Sequence, residues 1–124
     1  MPYDVRFEKV FDVPDPDAYW NEECYGGDVV SDRLLPAIRA RYADLQANQE
    51  DWGWFIWCRD GRVRLGIDIY CEDRARGAFR LRLTSSVKKW LLWDRAVDTP
   101  ELERLRDLVV RELADWSPSS STSP

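Results

Sequence analysis

The sequence predicts an α+β fold: a two-layer sandwich whose mainly antiparallel sheet of four to five strands carries two helices on one face, in the order β-α-β-β-β-β-α. Three observations predict it. Two segments repeat apolar residues at helical spacing, from Val30 to Leu45 and from Leu102 to Trp116. Between them, Trp52 to Leu83 alternates apolar and polar residues with period two, broken at Asp60-Gly61 and near Gly77. Tyr3–Val13 alternates in the same way ahead of the first helix.

In the first strand Tyr3, Val5, Phe7, Phe11 and Val13 share one face, opposite Asp4, Arg6, Glu8 and Asp12. Lys9 interrupts the apolar face, and Pro14 and Pro16 end the strand. Asp15–Gly27 reads as a loop, acidic and aromatic together. Asp28 or Ser31 is placed to cap the first helix. Val30, Leu34, Ile38, Tyr42 and Leu45 form its buried stripe, Pro36 sits near its start, and it ends at Asn48.

A type I′ turn at Asp60-Gly61 would set Trp52, Trp54, Ile56 and Cys58 opposite Ile69, Ile67, Leu65 and Val63. A second turn at Arg74–Arg76, with Gly77 free to take positive φ, sets Cys71, Ile69 and Ile67 opposite Phe79, Leu81 and Leu83. A fifth strand over Val87–Trp93 is less regular, because Trp90, Leu91, Leu92 and Trp93 are consecutive apolar residues. The last helix carries the clearest signals. Asp98 or Thr99 caps it, Pro100 opens it, and Glu101 and Glu103 suit the positive end of its dipole. Leu102, Leu105, Val109, Leu113 and Trp116 are its buried stripe. Residues 1–116 read as one domain and 117–124, rich in Ser and Pro, as a disordered tail.

A chain of 124 residues suffices for one core without disulfides. Its apolar runs fall short of the roughly 20 residues that span a bilayer, and its N-terminus lacks a signal-peptide layout. Cys24, Cys58 and Cys71 are an odd count with no close pair, so no disulfide framework is expected. These features predict a cytoplasmic protein with no membrane contact. The absence of histidine removes Ser-His-Asp and Cys-His catalysis and every His-containing zinc site. Three cysteines fall short of the four that an all-thiolate zinc site needs. No catalytic residues, metal site or cofactor are expected, and the reading leans away from an enzyme.

The net charge of −5 is unevenly placed: residues 1–58 and 96–124 are acidic, and residues 59–95 are a basic island. That island lies on the sheet face turned away from the helices. The expected registers pair Trp57 with Arg64, Phe55 with Gly66, Asp68 with Arg82 and Tyr70 with Arg80. Trp93 joins this face, and Trp20 in the acidic loop has no core role. Phe55, Trp57, Arg64, Asp68, Tyr70, Arg80, Arg82, Trp93 and Trp20 are therefore the candidate binding residues. The plain alternative is a solvated face of ordinary cross-strand pairs, each contributing about 0.2–1 kcal/mol. The aromatic surplus points instead to contact with something.

Aromatic and arginine side chains together could stack nucleic-acid bases. A pI near 4.8 and the lack of any recognition signature argue against that partner. The acidic loop lacks calcium-loop spacing, and Gly26-Gly27 lacks the rest of a phosphate loop. Cys24 stands beside Glu22 and Glu23, which oppose thiolate formation, while Cys58 and Cys71 face the core. The leading expectation is a small acidic, non-catalytic domain that binds a protein partner or a second copy of itself, as an inhibitor, immunity-type protein, adaptor or chaperone-like protein does. The alternative is a binder of small anionic ligands, or an enzyme, using Arg64, Asp68, Tyr70, Arg80 and Arg82, with Asp68 or Glu72 as base.

Overall fold

Period-two alternation in the middle of the chain builds one twisted layer, and two amphipathic helices close one side of it. The computed structural model describes residues 3–9, 27–73, 76–89, 92–95, 99–115 and 121–123; for 88–89, 92–95 and 121–123 it describes the backbone. The elements are β1 (Tyr3–Glu8), α1 (Gly27–Arg41), β2 (Ala43–Glu50), β3 (Gly53–Asp60), β4 (Val63–Asp73), β5 (Ala78–Lys89), β6 (Leu92–Arg95), α2 (Pro100–Leu113) and β7 (Ser121–Ser123). The strands lie in the order β2-β3-β4-β5-β1-β7, with β6 beside β5, and every pairing is antiparallel. Long β5 is shared: β4 follows one edge from Ala78 to Val87, while β1 and then β6 take the other.

The fold is the expected α+β sandwich, with the anticipated strands and helices in the anticipated order, the strands β2 and β7 added to them, and both helices in one core with the sheet. Val30, Leu34 and Ile38 of α1 and Leu102, Leu105, Leu108, Val109 and Leu113 of α2 cover Val5, Phe7, Ile56, Leu65, Ile67, Ile69, Phe79, Leu81 and Leu83. Thr99 is the cap of α2, its hydroxyl accepting a hydrogen bond from the Leu102 N–H at 3.1 Å, and Pro100 opens the helix. Trp116 lies outside the described residues, as do Phe11 to Pro16.

Several local expectations are corrected. α1 begins at Gly27, so Asp28 lies in its first turn, Ser31 is buried inside it, and Pro36 stands in its interior rather than near its start. The helix ends at Arg41 instead of Asn48, and Ala43–Glu50 forms strand β2 along β3. ADLQANQE is a good helix-forming sequence, but Asp44 takes φ of 54°, which breaks the helical path. Pairing then satisfies backbone groups that β3 would otherwise leave bare, and this tertiary gain outweighs the local preference. β2 is mostly exposed, with Leu45 and Gln49 half-buried.

The β4–β5 register is as expected, with Cys71, Ile69 and Ile67 opposite Phe79, Leu81 and Leu83, while Arg74 and Ala75 of the expected turn lie outside the described residues. Gly77 takes φ of 63°, and the Asp73 carboxylate accepts the Arg76 N–H at 3.2 Å. In the β3–β4 hairpin the turn residues are Gly61 and Arg62, one step beyond the expected turn. Gly61 has φ of 59° and Arg62 is not in the positive region, the pattern of a type II′ turn with glycine first. Trp54, Ile56 and Cys58 therefore face Ile69, Ile67 and Leu65, a shift of two residues that leaves every side chain on its expected face. Trp52 is the exception to the expected inward set. It lies in the β2–β3 turn, 37% exposed, with its ring tilted against that of Tyr70.

Val87 belongs to β5, and the returning strand is β6, opposite Ser86 to Lys89. Of the C-terminal tail, Ser121–Ser123 pair with Asp4–Arg6.

Candidate functional site: the open face of the sheet

Along β3, β4 and β5 the residues between the core positions point away from the helices. The observed register sets Phe55 opposite Asp68 and Trp57 opposite Gly66, where the sequence reading had Phe55 opposite Gly66 and Trp57 opposite Arg64. Arg64 instead faces Arg59. The pairs Asp68 with Arg82 and Tyr70 with Arg80 are as expected.

The consequence is local. Gly66 offers bare backbone beneath Trp57: a Cβ there would stand 3.4 Å from Cδ1 and 3.7 Å from Nε1 of the indole. Phe55 is buried against Trp57, ring centres 4.3 Å apart, and Trp57 itself remains 43% exposed. A glycine under a cross-strand aromatic is a recurrent device, since the ring covers backbone that glycine leaves open. Oδ1 of Asp68 is buried with no hydrogen-bond partner. Burial pushes the Asp68 carboxyl up, against the opposing pull of the polar edge of Trp57 and of Arg82.

A second aromatic group stands farther along the sheet. Trp52 and Tyr70 have ring centres 4.9 Å apart, and the Arg80 guanidinium lies 4.4 Å from the Tyr70 centroid. Arg80 is also 2.7 Å from Glu72 Oε1 and 3.8 Å from Asp4 Oδ1, and Arg6 is 3.6 Å from Asp4 Oδ2. Burial and the neighbouring Asp68 raise the Tyr70 hydroxyl above its ordinary range. Arg59 pairs with Asp44 at 3.1 Å. Arg59 and Arg80 of the basic stretch are thus answered by carboxylates from β1, β2 and β4.

Of the nine candidate residues, the structure brings Phe55, Trp57, Asp68, Tyr70, Arg80 and Arg82 onto this face, with Arg64 beside Arg59 toward the Gly61-Arg62 turn. Trp93 lies in β6 opposite Lys88, its side chain outside what is described, and Trp20 lies outside the described residues. Sequence reasoning missed Trp52, Gly66 and Asp4. The signal for Gly66 was present, because a II′ turn with Gly61 first places the one glycine of β4 under Trp57.

Cys58 is buried and desolvation pushes its thiol up to about 12, so it is packed as a small apolar side chain. Among the described residues no group of three or more Cys, Asp or Glu side chains is placed to hold a metal ion, and no helix is long and apolar enough to cross a membrane. No protein-family model matches the chain, and a search of curated proteins finds no relative.

Proposed function

We propose that this chain is a non-catalytic binding domain that docks a protein partner on the open face of its sheet, around Trp57. One observation carries the reading. The exposed large apolar side chains among the described residues are Trp52 and Trp57, and both rest on aromatic neighbours of this face. A rigid indole with a polar edge, supported from below and open above, is the kind of side chain that dominates protein interfaces. The ion pairs around it favour this reading over an arginine clamp for a small anion. Arg80 would have to give up Glu72 and Asp4 to hold a ligand carboxylate or phosphate.

The test is quantitative capture from nuclease-treated lysate of the source organism, with wild type, Trp57→Glu and Arg39→Glu as parallel baits. Arg39 is exposed on α1, on the opposite side of the sandwich, and controls for charge. A partner held by wild type and Arg39→Glu, and weakened about thirtyfold or more by Trp57→Glu, agrees with a hot-spot indole, which carries about 2 kcal/mol or more. Equal binding by all three baits would sink the docking face. Light scattering separates a second copy of the chain from a different partner.

A further inference from the structure

The backbone of β1 faces two ways. Lys9 donates its N–H to the Gly77 carbonyl at 2.8 Å, so alternation turns the backbone groups of Tyr3, Val5 and Phe7 toward β5. Those of Asp4, Arg6 and Glu8 point to the outer edge. There Ser123 and Ser121 of β7 stand opposite Asp4 and Arg6, with Thr122 opposite Val5. Beyond β7 no further strand lies among the described residues. β7 is a slight occupant: its described pairing takes three of the six residues of β1 and stops short of Phe7 and Glu8. Its sequence, STS, brings no apolar side chain to an edge whose alternate residues Val5 and Phe7 belong to the core. The opposite edge of the sheet is built differently. β2 has a register shift between Ala43 and Gln46, and Asn48 Oδ1 accepts the Gln49 N–H at 2.8 Å, devices that discourage strand addition. β1 pairs with β5 over all six residues without such a shift, so its outer edge is a regular template.

We propose that the outer edge of β1 is an acceptor site for an extended segment of a partner protein, and that β7 is its built-in, replaceable cover. The partner this edge fits is a strand with β-branched apolar residues opposite Val5, where β7 has Thr122, and opposite Phe7, past the described pairing. In strand addition the backbone bonds supply affinity and the alternate side chains supply selectivity. The chain's own segment holds the edge because it is tethered. A tethered segment acts at an effective concentration on the order of millimolar, so the edge stays covered until a longer, better-matched strand arrives. The site lies on the strand edge, apart from the open face around Trp57, and it stands whether or not that face docks a partner.

Amide hydrogen exchange and peptide binding, both on the full chain, test the two halves of the proposal. Ser121→Pro removes an N–H that faces β1, whereas Thr122→Pro removes one that faces away, where an edge strand tolerates proline. Ser121→Pro should speed exchange of the Arg6 amide about tenfold or more, while Val5 and Phe7, bonded to β5, keep their rates. Thr122→Pro should leave all three near wild type, and an unchanged Ile67 amide reports the intact fold in each variant. Equal Arg6 exchange in wild type and Ser121→Pro, or equal loss of protection in both proline variants, overturns the cover. The probe for the acceptor is a labelled peptide of residues 117–124 with Ser120→Val and Thr122→Val, which sets valines opposite Phe7 and Val5. Its control carries Ser119→Val and Ser121→Val, the same composition with the valines on the other face. The first peptide should bind the Ser121→Pro protein about tenfold or more tighter than wild type, restore Arg6 protection, and outbind the control. Equal affinity for the two proteins, no binding to either, or equal binding of the two peptides overturns the acceptor site. None of these readings involves Trp57, so they succeed or fail independently of the capture experiment.

Discussion

The two faces of this sheet are built from alternate residues of the same strands, and they have opposite characters. Toward the helices, Ile56, Ile67, Ile69, Leu81 and Leu83 are fully buried against α1 and α2. One residue over, Phe55, Asp68, Tyr70, Arg80 and Arg82 form a face of rings and ion pairs from which Trp57 projects. The inner face is apolar and continuous, so its contribution scales with area removed from water. The outer face holds together through specific pairings, and specific pairings can be exchanged for a partner's. The same backbone thus supplies stability on one side and the proposed docking surface on the other.

Three substitutions probe that contrast, from the largest effect to the smallest. Ile67→Ala removes a fully buried side chain at the centre of the inner face and should cost about 2–5 kcal/mol in denaturant unfolding. A loss below about 1 kcal/mol would mean that the helices do not close over β4 as tightly as the burial implies. Gly66→Val reverses the change on the outer face. Even the first added carbon would stand 3.0 Å from Thr84 Oγ1 and 3.4 Å from Trp57 Cδ1, and overpacking of this kind costs about 1–3 kcal/mol. Its distinguishing signature is a displaced Trp57 indole resonance, which Ile67→Ala should not produce. Trp57→Ala should cost least in stability, about 1 kcal/mol, while abolishing partner capture. Outright unfolding of that variant would make Trp57 a core residue and erase the distinction between the faces.

Much of this was legible from residue patterns, for a physical reason that also explains the errors. Side-chain parity survives a shift of two residues, so the sorting of Ile56, Ile67 and Leu81 inward and Trp57, Asp68 and Arg82 outward held although the β3–β4 register was displaced. What parity cannot give is the identity of the cross-strand neighbour. That depended on whether Asp60 or Gly61 opened the turn, a matter of one residue's φ. The placement of Trp57 over Gly66 was lost with it. α1 was read as too long because Ala43–Glu50 suits a helix locally, and only the unpaired edge of β3 makes it a strand. Trp52 was placed in the core by an alternation that stops one residue short of it, in the turn before β3. Thr99, one of the two caps the sequence offers, and the α2 stripe from Leu102 to Leu113 stand as expected, since both are set by contacts within a few residues.

The position of β1 carries a consequence for how the molecule assembles. From β2 to β5, each strand meets the next through a short turn, so this meander closes locally and at small entropic cost. β1 is the first strand in the chain yet zips against β5, with Tyr3 opposite Leu83 and Phe7 stacked on Phe79. That contact closes a loop spanning more than half the chain, and long closures of this kind set the pace of folding. The rate of reaching the native state should therefore be governed by the arrival of β1, and the stacked pair Phe7 and Phe79 is the clasp that completes the sheet.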